Sequence, residues 1–140
     1  MFKSLLPSDG SQHAERAAQF LLRLAATGTP IEVIVLNVQP EVVDWQTHGL
    51  AREQMVAQRD YLARQATERV RGLLDAAGVR CTVQVELGDP ARTIVDYAQR
   101  LGCDWIVMGT RGMGAIEELA LGSVAHKVVH LASVPVTLVK

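Results

Sequence analysis

The sequence predicts one α/β domain: an open, five-stranded parallel sheet in the spatial order 3-2-1-4-5, with helices on both faces. Three observations predict it. Apolar runs of strand length alternate with amphipathic segments of helix length, and with right-handed crossovers this alternation makes a parallel sheet covered on both sides. The third and fifth strands carry marks of a sheet edge. The chain has 140 residues, 49% of them hydrophobic, which is enough for one core and too little for two.

Each element has its own warrant. "FKSLLP" (2–7) reads as the first strand. A helix follows from about Ser11 to Ala26, with Ala14, Ala17, Ala18, Leu21, Leu22 and Leu24 or Ala25 on one face. Gly28 and Pro30 end it. "IEVIVLNV" (31–38) is β-branched and almost continuously apolar, as a strand covered on both faces requires. Between Pro40 and Pro90 there is no proline, and Leu62, Ala66, Val70, Leu73 and Ala77 recur at helical spacing. That predicts a long helix from roughly His48 to Ala77, capped by Gly78.

"RCTVQVEL" (80–87) alternates strictly, with Cys81, Val83, Val85 and Leu87 on one side, so one of its faces meets water. Asp89 and Pro90 supply an N-cap and a first-turn proline for a helix whose stripe is Ala91, Ile94, Val95, Ala98 and Leu101, ending at Gly102. "DWIVMG" (104–109) is the fourth strand, with Trp105 expected in the core. Val124, Val128 and Leu131 define a last helix, and "VPVTLV" (134–139) a fifth strand whose Pro135 suits an edge.

In this strand order the direction of connection reverses between the first and fourth strands, and ligands of such sheets sit there, outside the carboxyl ends. Both glycine-marked turns, "PSDGS" after the first strand and "GTRG" after the fourth, fall at that crevice. Gly109 and Gly112 present backbone without a Cβ, so successive N–H groups can converge on an oxyanion. Gly122 and Ser123 open the last helix, whose unpaired N–H groups and positive dipole end favour a phosphate. Two or three charge-assisted bonds of about 1.5–3 kcal/mol each, with the rest of a nucleotide, support roughly micromolar binding.

Gly109, two residues, Gly112, nine residues, then Gly122-Ser123 resembles the G-x2-G-x9-G-[S/T] signature of the ATP-binding universal stress proteins. The similarity runs from "LLPSDGS" to "GSVAHKVVHLASVPVTLV". It implies a Rossmann-like fold of the adenine nucleotide alpha hydrolase type, with ATP, accompanied by Mg²⁺, in the crevice. It further implies Pro7, Asp9 and Val38 at the adenine and ribose, and Gly109, Arg111, Gly112, Gly122, Ser123 and Val124 around the ribose and phosphates. Pairing into a homodimer through residues 134–139, and a regulatory role in the stress response read by a protein partner, also follow from it. The last strand supports pairing independently, because it is apolar on both faces and needs a cover.

Three positions depart from the family pattern. Glu117 and Glu118 stand where basic residues are common, and each weakens a phosphate about 8 Å away by only about 0.5 kcal/mol in a water-like medium. Asn37 stands where histidine is frequent.

Composition and motifs bound the alternatives. Lys plus Arg (14) balances Asp plus Glu (15) without a basic cluster, which argues against nucleic acid as a partner. No apolar run reaches the length of a membrane span, and Cys81 and Cys103 form no C-x-x-C pair, so a soluble cytoplasmic protein with reduced cysteines is expected. His126 and His130 have zinc-pair spacing, but Lys127 replaces the glutamate of H-E-x-x-H, so they read as ordinary helix residues. Trp45 is placed to cover a bound base.

No lysine follows the glycines as in a P-loop, and no nucleophile–base arrangement is recognisable. Binding without turnover is therefore the leading expectation. Slow ATP hydrolysis or self-phosphorylation at Ser123 or Thr110 is the enzyme alternative. A receiver domain would need a second acidic residue beside Asp9, where Ser8 and Gly10 stand. A ligand-free interaction protein completes the set.

Overall fold

A computed structural model of the chain describes residues 1–41, 51–112 and 121–140. Strands β1 (Phe2–Pro7), β2 (Ile31–Gln39), β3 (Arg80–Leu87), β4 (Trp105–Gly109) and β5 (Val136–Val139) alternate with helices α1 (Gln12–Ala26), α2 (Arg52–Ala76), α3 (Pro90–Arg100) and α4 (Ser123–Leu131). The five strands form one parallel sheet in the order β3-β2-β1-β4-β5, as expected. Register pairs Pro7 with Leu36 and Leu5 with Ile106, so β1 and β4 end close together while β2 runs on past them to Gln39.

Strand alternation divides the interior in two. Leu5, Ile34, Leu36, Ile106 and Met108 face α3 and α4. Leu6, Val33, Val35 and Val107 face α1 and α2. Because neighbours such as Leu5 and Leu6 point to opposite sides and both are buried, the central strands must be apolar throughout. β3 lies at an edge, and its burial alternates as predicted through Cys81 and Val83 but inverts at its end, where Val85 and Leu87 are exposed and Glu86, which accepts from the Tyr97 hydroxyl, is half-buried.

Helix ends follow local chemistry. Ser11 caps α1 by accepting from Ala14 N–H, and Asp89 caps α3 by accepting from Arg92 N–H. Gly28, Gly78 and Gly102 take positive φ just past α1, α2 and α3, a conformation that costs glycine nothing.

Side-chain burial departs from the expectation in three helices. The buried stripe of α2 is Ala63, Thr67, Val70 and Leu74, one residue round from the predicted one, and Leu62 is exposed. Small Ala63 and Thr67 let the helix lie close to the sheet, and the Thr67 hydroxyl satisfies itself on the Ala63 carbonyl at 2.8 Å. A stripe counted through Leu62, Ala66 and Leu73 misses that, because threonine carries no apolar signal and either alanine row fits the spacing. In α3, Tyr97 joins the buried set while Val95 and Leu101 are only half-buried. In α4, Ala125 and Val128 are buried, whereas Leu131 is exposed.

Smaller differences concern β5 and Trp105. β5 starts at Val136, because Pro135 has no N–H to pair and serves through its carbonyl, which accepts from Ile106 N–H. Trp105 is half-buried, edge-on to Phe20, with its indole N–H donated to Thr137 Oγ1 at 2.8 Å. The predicted start of the second helix at 48–50 lies outside the described residues.

Candidate nucleotide site

A cleft of about 500 Å³ opens where the chain reverses, between the carboxyl ends of β1, β2 and β4 and the first turns of α3 and α4. That is within the roughly 300–1,000 Å³ typical of small-molecule sites. All nine residues singled out from the sequence line it: Pro7, Asp9, Val38, Gly109, Arg111, Gly112, Gly122, Ser123 and Val124.

Pro7 and Val38 end neighbouring strands and are half-buried, forming one apolar flank. Ile94 and Met108 extend it, and Pro90 stands beside them. These three were missed. Their signals were weak: Pro90 reads as a helix starter, and Ile94 and Met108 as core.

The polar end belongs to α4. His126 N–H is the first to bond within the helix, onto the Gly122 carbonyl at 2.9 Å, which leaves Ser123, Val124 and Ala125 N–H without intrahelical acceptors. The cap residue is Gly122, so no side chain fills the place that serine or aspartate would take. Three N–H groups and the positive end of the helix dipole therefore face the cleft, where an anion can complete them. Arg111 lines the same cleft and adds a cation; Asp9, on the β1–α1 turn, accepts from Ser11 N–H at 2.9 Å through Oδ1.

The glycines have a packing role in addition to any exposure of backbone to a ligand. None of Gly109, Gly112 and Gly122 has a positive φ. A Cβ on Gly109 would lie 2.6 Å from His13 Cβ and within 3 Å of the His13 carbonyl group, so this glycine admits α1 to the sheet. A Cβ on Gly112 would run into Asp9 Oδ2, so this one admits the Asp9 carboxylate. At Gly122 the nearest atoms are Arg111 Cα and the Thr110 carbonyl oxygen, both 3.2 Å away, and Gly122 N–H itself bonds that carbonyl at 2.7 Å. The missing side chains draw the walls of the cleft together; the N–H groups without intrahelical acceptors come from the helix start.

Asn37 has a defined role as well. It is buried, donates from Nδ2 to the Ser8 carbonyl at 2.9 Å and accepts from Gln39 Nε2 at 2.9 Å. His126 and His130 are exposed on α4, and among the described residues no three His, Cys, Asp or Glu side chains gather as a metal site. Trp45, Glu117 and Glu118 lie outside the described residues.

Comparison with known proteins agrees with this architecture. The model of the universal stress protein family matches residues 1–140, the whole chain. The chain belongs to that family. A universal stress protein of Thermus aquaticus is 36% identical over 141 residues, covering all of both chains. The solved structure of hypothetical protein MJ0577 superposes with a TM-score of 0.80 at 28% identity, covering 99% of this chain and 95% of that one. Two further family structures share the fold: one from Archaeoglobus fulgidus in complex with dAMP (TM-score 0.73, 21% identity, 100% and 98% covered) and one from Arabidopsis thaliana with AMP bound (TM-score 0.72, 19% identity, 100% and 92% covered). No described helix is long and apolar enough to cross a membrane.

Proposed function

We propose that this universal stress protein binds an adenine nucleotide, ATP with Mg²⁺, in the cleft, and works as a regulatory module in which occupancy is read by a partner. The observation that carries the reading is the uncapped start of α4, which opens on the same cleft as Asp9, Val38 and Arg111. The adenine would lie on the apolar flank of Pro7, Val38 and Ile94, the ribose against Asp9, and the phosphates at the N–H groups of residues 123–125 and at Arg111. The AMP and dAMP complexes of its structural relatives support an adenylate as the ligand class. With no three-residue acidic or histidine cluster among the described residues, Mg²⁺ would ride mainly on phosphate oxygens.

Pairing through β5 and a cytoplasmic setting belong to the same proposal. β5 ends the sheet, and all four of its residues are only partly covered within one chain, which a second copy's β5 would remedy. Both cysteines are free, as a reducing compartment keeps them. Light scattering should give a dimer at micromolar concentration; a monomer would remove this part of the proposal.

Isothermal titration with ATP and Mg²⁺ tests the central claim. Heat of binding with a rise in melting temperature is expected, about 2.7 kcal/mol of stabilisation at a hundredfold excess over Kd. No heat and no shift at millimolar ligand would end it. Ser123, exposed beside the proposed phosphate position, keeps self-phosphorylation as a second reading. Intact-mass measurement after incubation with ATP separates the two: added phosphate supports transfer, an unchanged mass with intact ATP supports binding alone.

A further inference from the structure

We propose that Asn37 is a positioning residue for the ligand, and that a main-chain carbonyl on α2 sets the sense of its hydrogen bonds through Gln39. This rests on the nucleotide-binding reading above. Asn37 does not line the cleft. It acts on Ser8, the residue before Asp9, all of whose polar groups are engaged: its N–H bonds the Leu36 carbonyl at 2.9 Å, its hydroxyl donates to the Ala66 carbonyl at 2.6 Å, and its carbonyl accepts from Asn37 Nδ2. Since the peptide unit is planar, fixing the Ser8 carbonyl also fixes the direction of Asp9 N–H and the position of the Asp9 Cα from which its side chain departs. The bond from Ser11 N–H to Asp9 Oδ1 helps hold that carboxylate, and the missing Cβ of Gly112 leaves it room.

The relay can run only one way. The Arg59 carbonyl of α2 accepts only, so the Gln39 amide must present nitrogen to it, at 3.2 Å. The same nitrogen donates to Asn37 Oδ1, which turns Nδ2 of Asn37 toward Ser8. Reversing the Asn37 amide would set oxygen against the Ser8 carbonyl and nitrogen against nitrogen. A buried amide so constrained is a fixed strut between α2 and the lip of the cleft.

The test is a double-mutant cycle on ATP affinity. Asn37→Leu removes the donor at similar size and should raise Kd about tenfold, the loss of one net hydrogen bond. If the effect passes through Asp9, the same change in an Asp9→Asn background should cost less than about twofold. Asn37→His, which offers an N–H again, should restore most of the affinity. Gln39→Glu, outside the cleft, provides a second variant should Asn37→Leu not fold: its carboxylate opposes both the Arg59 carbonyl and Asn37 Oδ1, and it should weaken binding about fivefold or more. Equal losses with and without Asp9, or unchanged affinity in Gln39→Glu, would overturn the positioning role and leave nucleotide binding standing. An unmodified protein that fails to bind ATP would overturn both.

Discussion

Gly109 and Gly112 belong to the same sequence motif but should fail in opposite ways when each is changed to alanine. In Gly109→Ala the new methyl meets His13 Cβ at 2.6 Å, His13 C at 2.8 Å and His13 O at 2.9 Å. Two of these are main-chain atoms of α1, so no rotamer relieves them. Restoring an ordinary 3.4 Å contact means moving α1 by about 0.8 Å, against a buried face of Ala14, Ala17, Ala18 and Leu21. Overpacking of this kind costs about 2–3 kcal/mol, roughly 10 °C in melting temperature for a chain of this length.

In Gly112→Ala the methyl meets, among the described residues, the end of the Asp9 side chain. The carboxylate is a flexible side-chain end that can swing away, giving up its bond to Ser11 N–H among its contacts, so the melting temperature should fall less than in Gly109→Ala, where main-chain atoms must move. The displaced carboxylate would lose its proposed contact with the ribose, however, and Kd for ATP should rise about tenfold or more. Scanning fluorimetry of both variants, with and without ATP, reads both quantities. The reasoning is refuted if Gly109→Ala melts with the unmodified protein while losing the ligand shift, or if Gly112→Ala keeps its Kd within about twofold.

Three further predictions follow from named contacts. Ser123→Glu places a negative charge on the uncapped first turn of α4 and should stabilise the free protein by about 0.3–1 kcal/mol while weakening ATP at least tenfold, since the charge competes for the same N–H groups; a tighter or unchanged Kd counts against the phosphate position. Burial first, then the neighbouring Asp75 charge, push the Cys81 thiol up to about 11 from 9.0, so its thiolate fraction at pH 8 is about a hundredfold below that of a free thiol, and iodoacetamide labelling of the folded chain should be correspondingly slow. Tyr97 donates to Glu86 Oε2 at 2.6 Å; this bond chiefly holds the Glu86 carboxyl below its usual 4.5 and the Tyr97 phenol above its usual 10. Stability lost in Tyr97→Phe should therefore be constant from pH 4.5 to 10, shrink in acid as Glu86 protonates, and shrink in alkali as pH passes the raised phenol value; a gap that persists unchanged at both extremes denies the pairing.

Much of the architecture could be read along the chain because its causes are local. Asp89 and Pro90 announce α3 within three residues; Gly28, Gly78 and Gly102 mark where helices stop; and the contrast between the continuous apolar run of β2 and the alternating one of β3 separates a covered strand from an edge. Strand order followed from those edges together with crossover handedness, and the place of the cleft from strand order. The helix faces were harder. The α2 stripe rests on Ala63 and Thr67, which carry little apolar signal, and Tyr97 is buried because Glu86, on a neighbouring strand, receives its hydroxyl.

What the amino-acid sequence determined by itself was the sequence of elements, the sheet they must form, and a set of positions that converge at its carboxyl edge. Only the tertiary structure decided what each glycine is for. A missing Cβ has meaning only against the atom that takes its place, and those atoms, on His13 and Asp9, stand some hundred positions away in the chain. The same holds for Asn37, whose amide orientation depends on a carbonyl of α2: periodicity reports which way a side chain faces, whereas the partner waiting there is set by how separate elements pack.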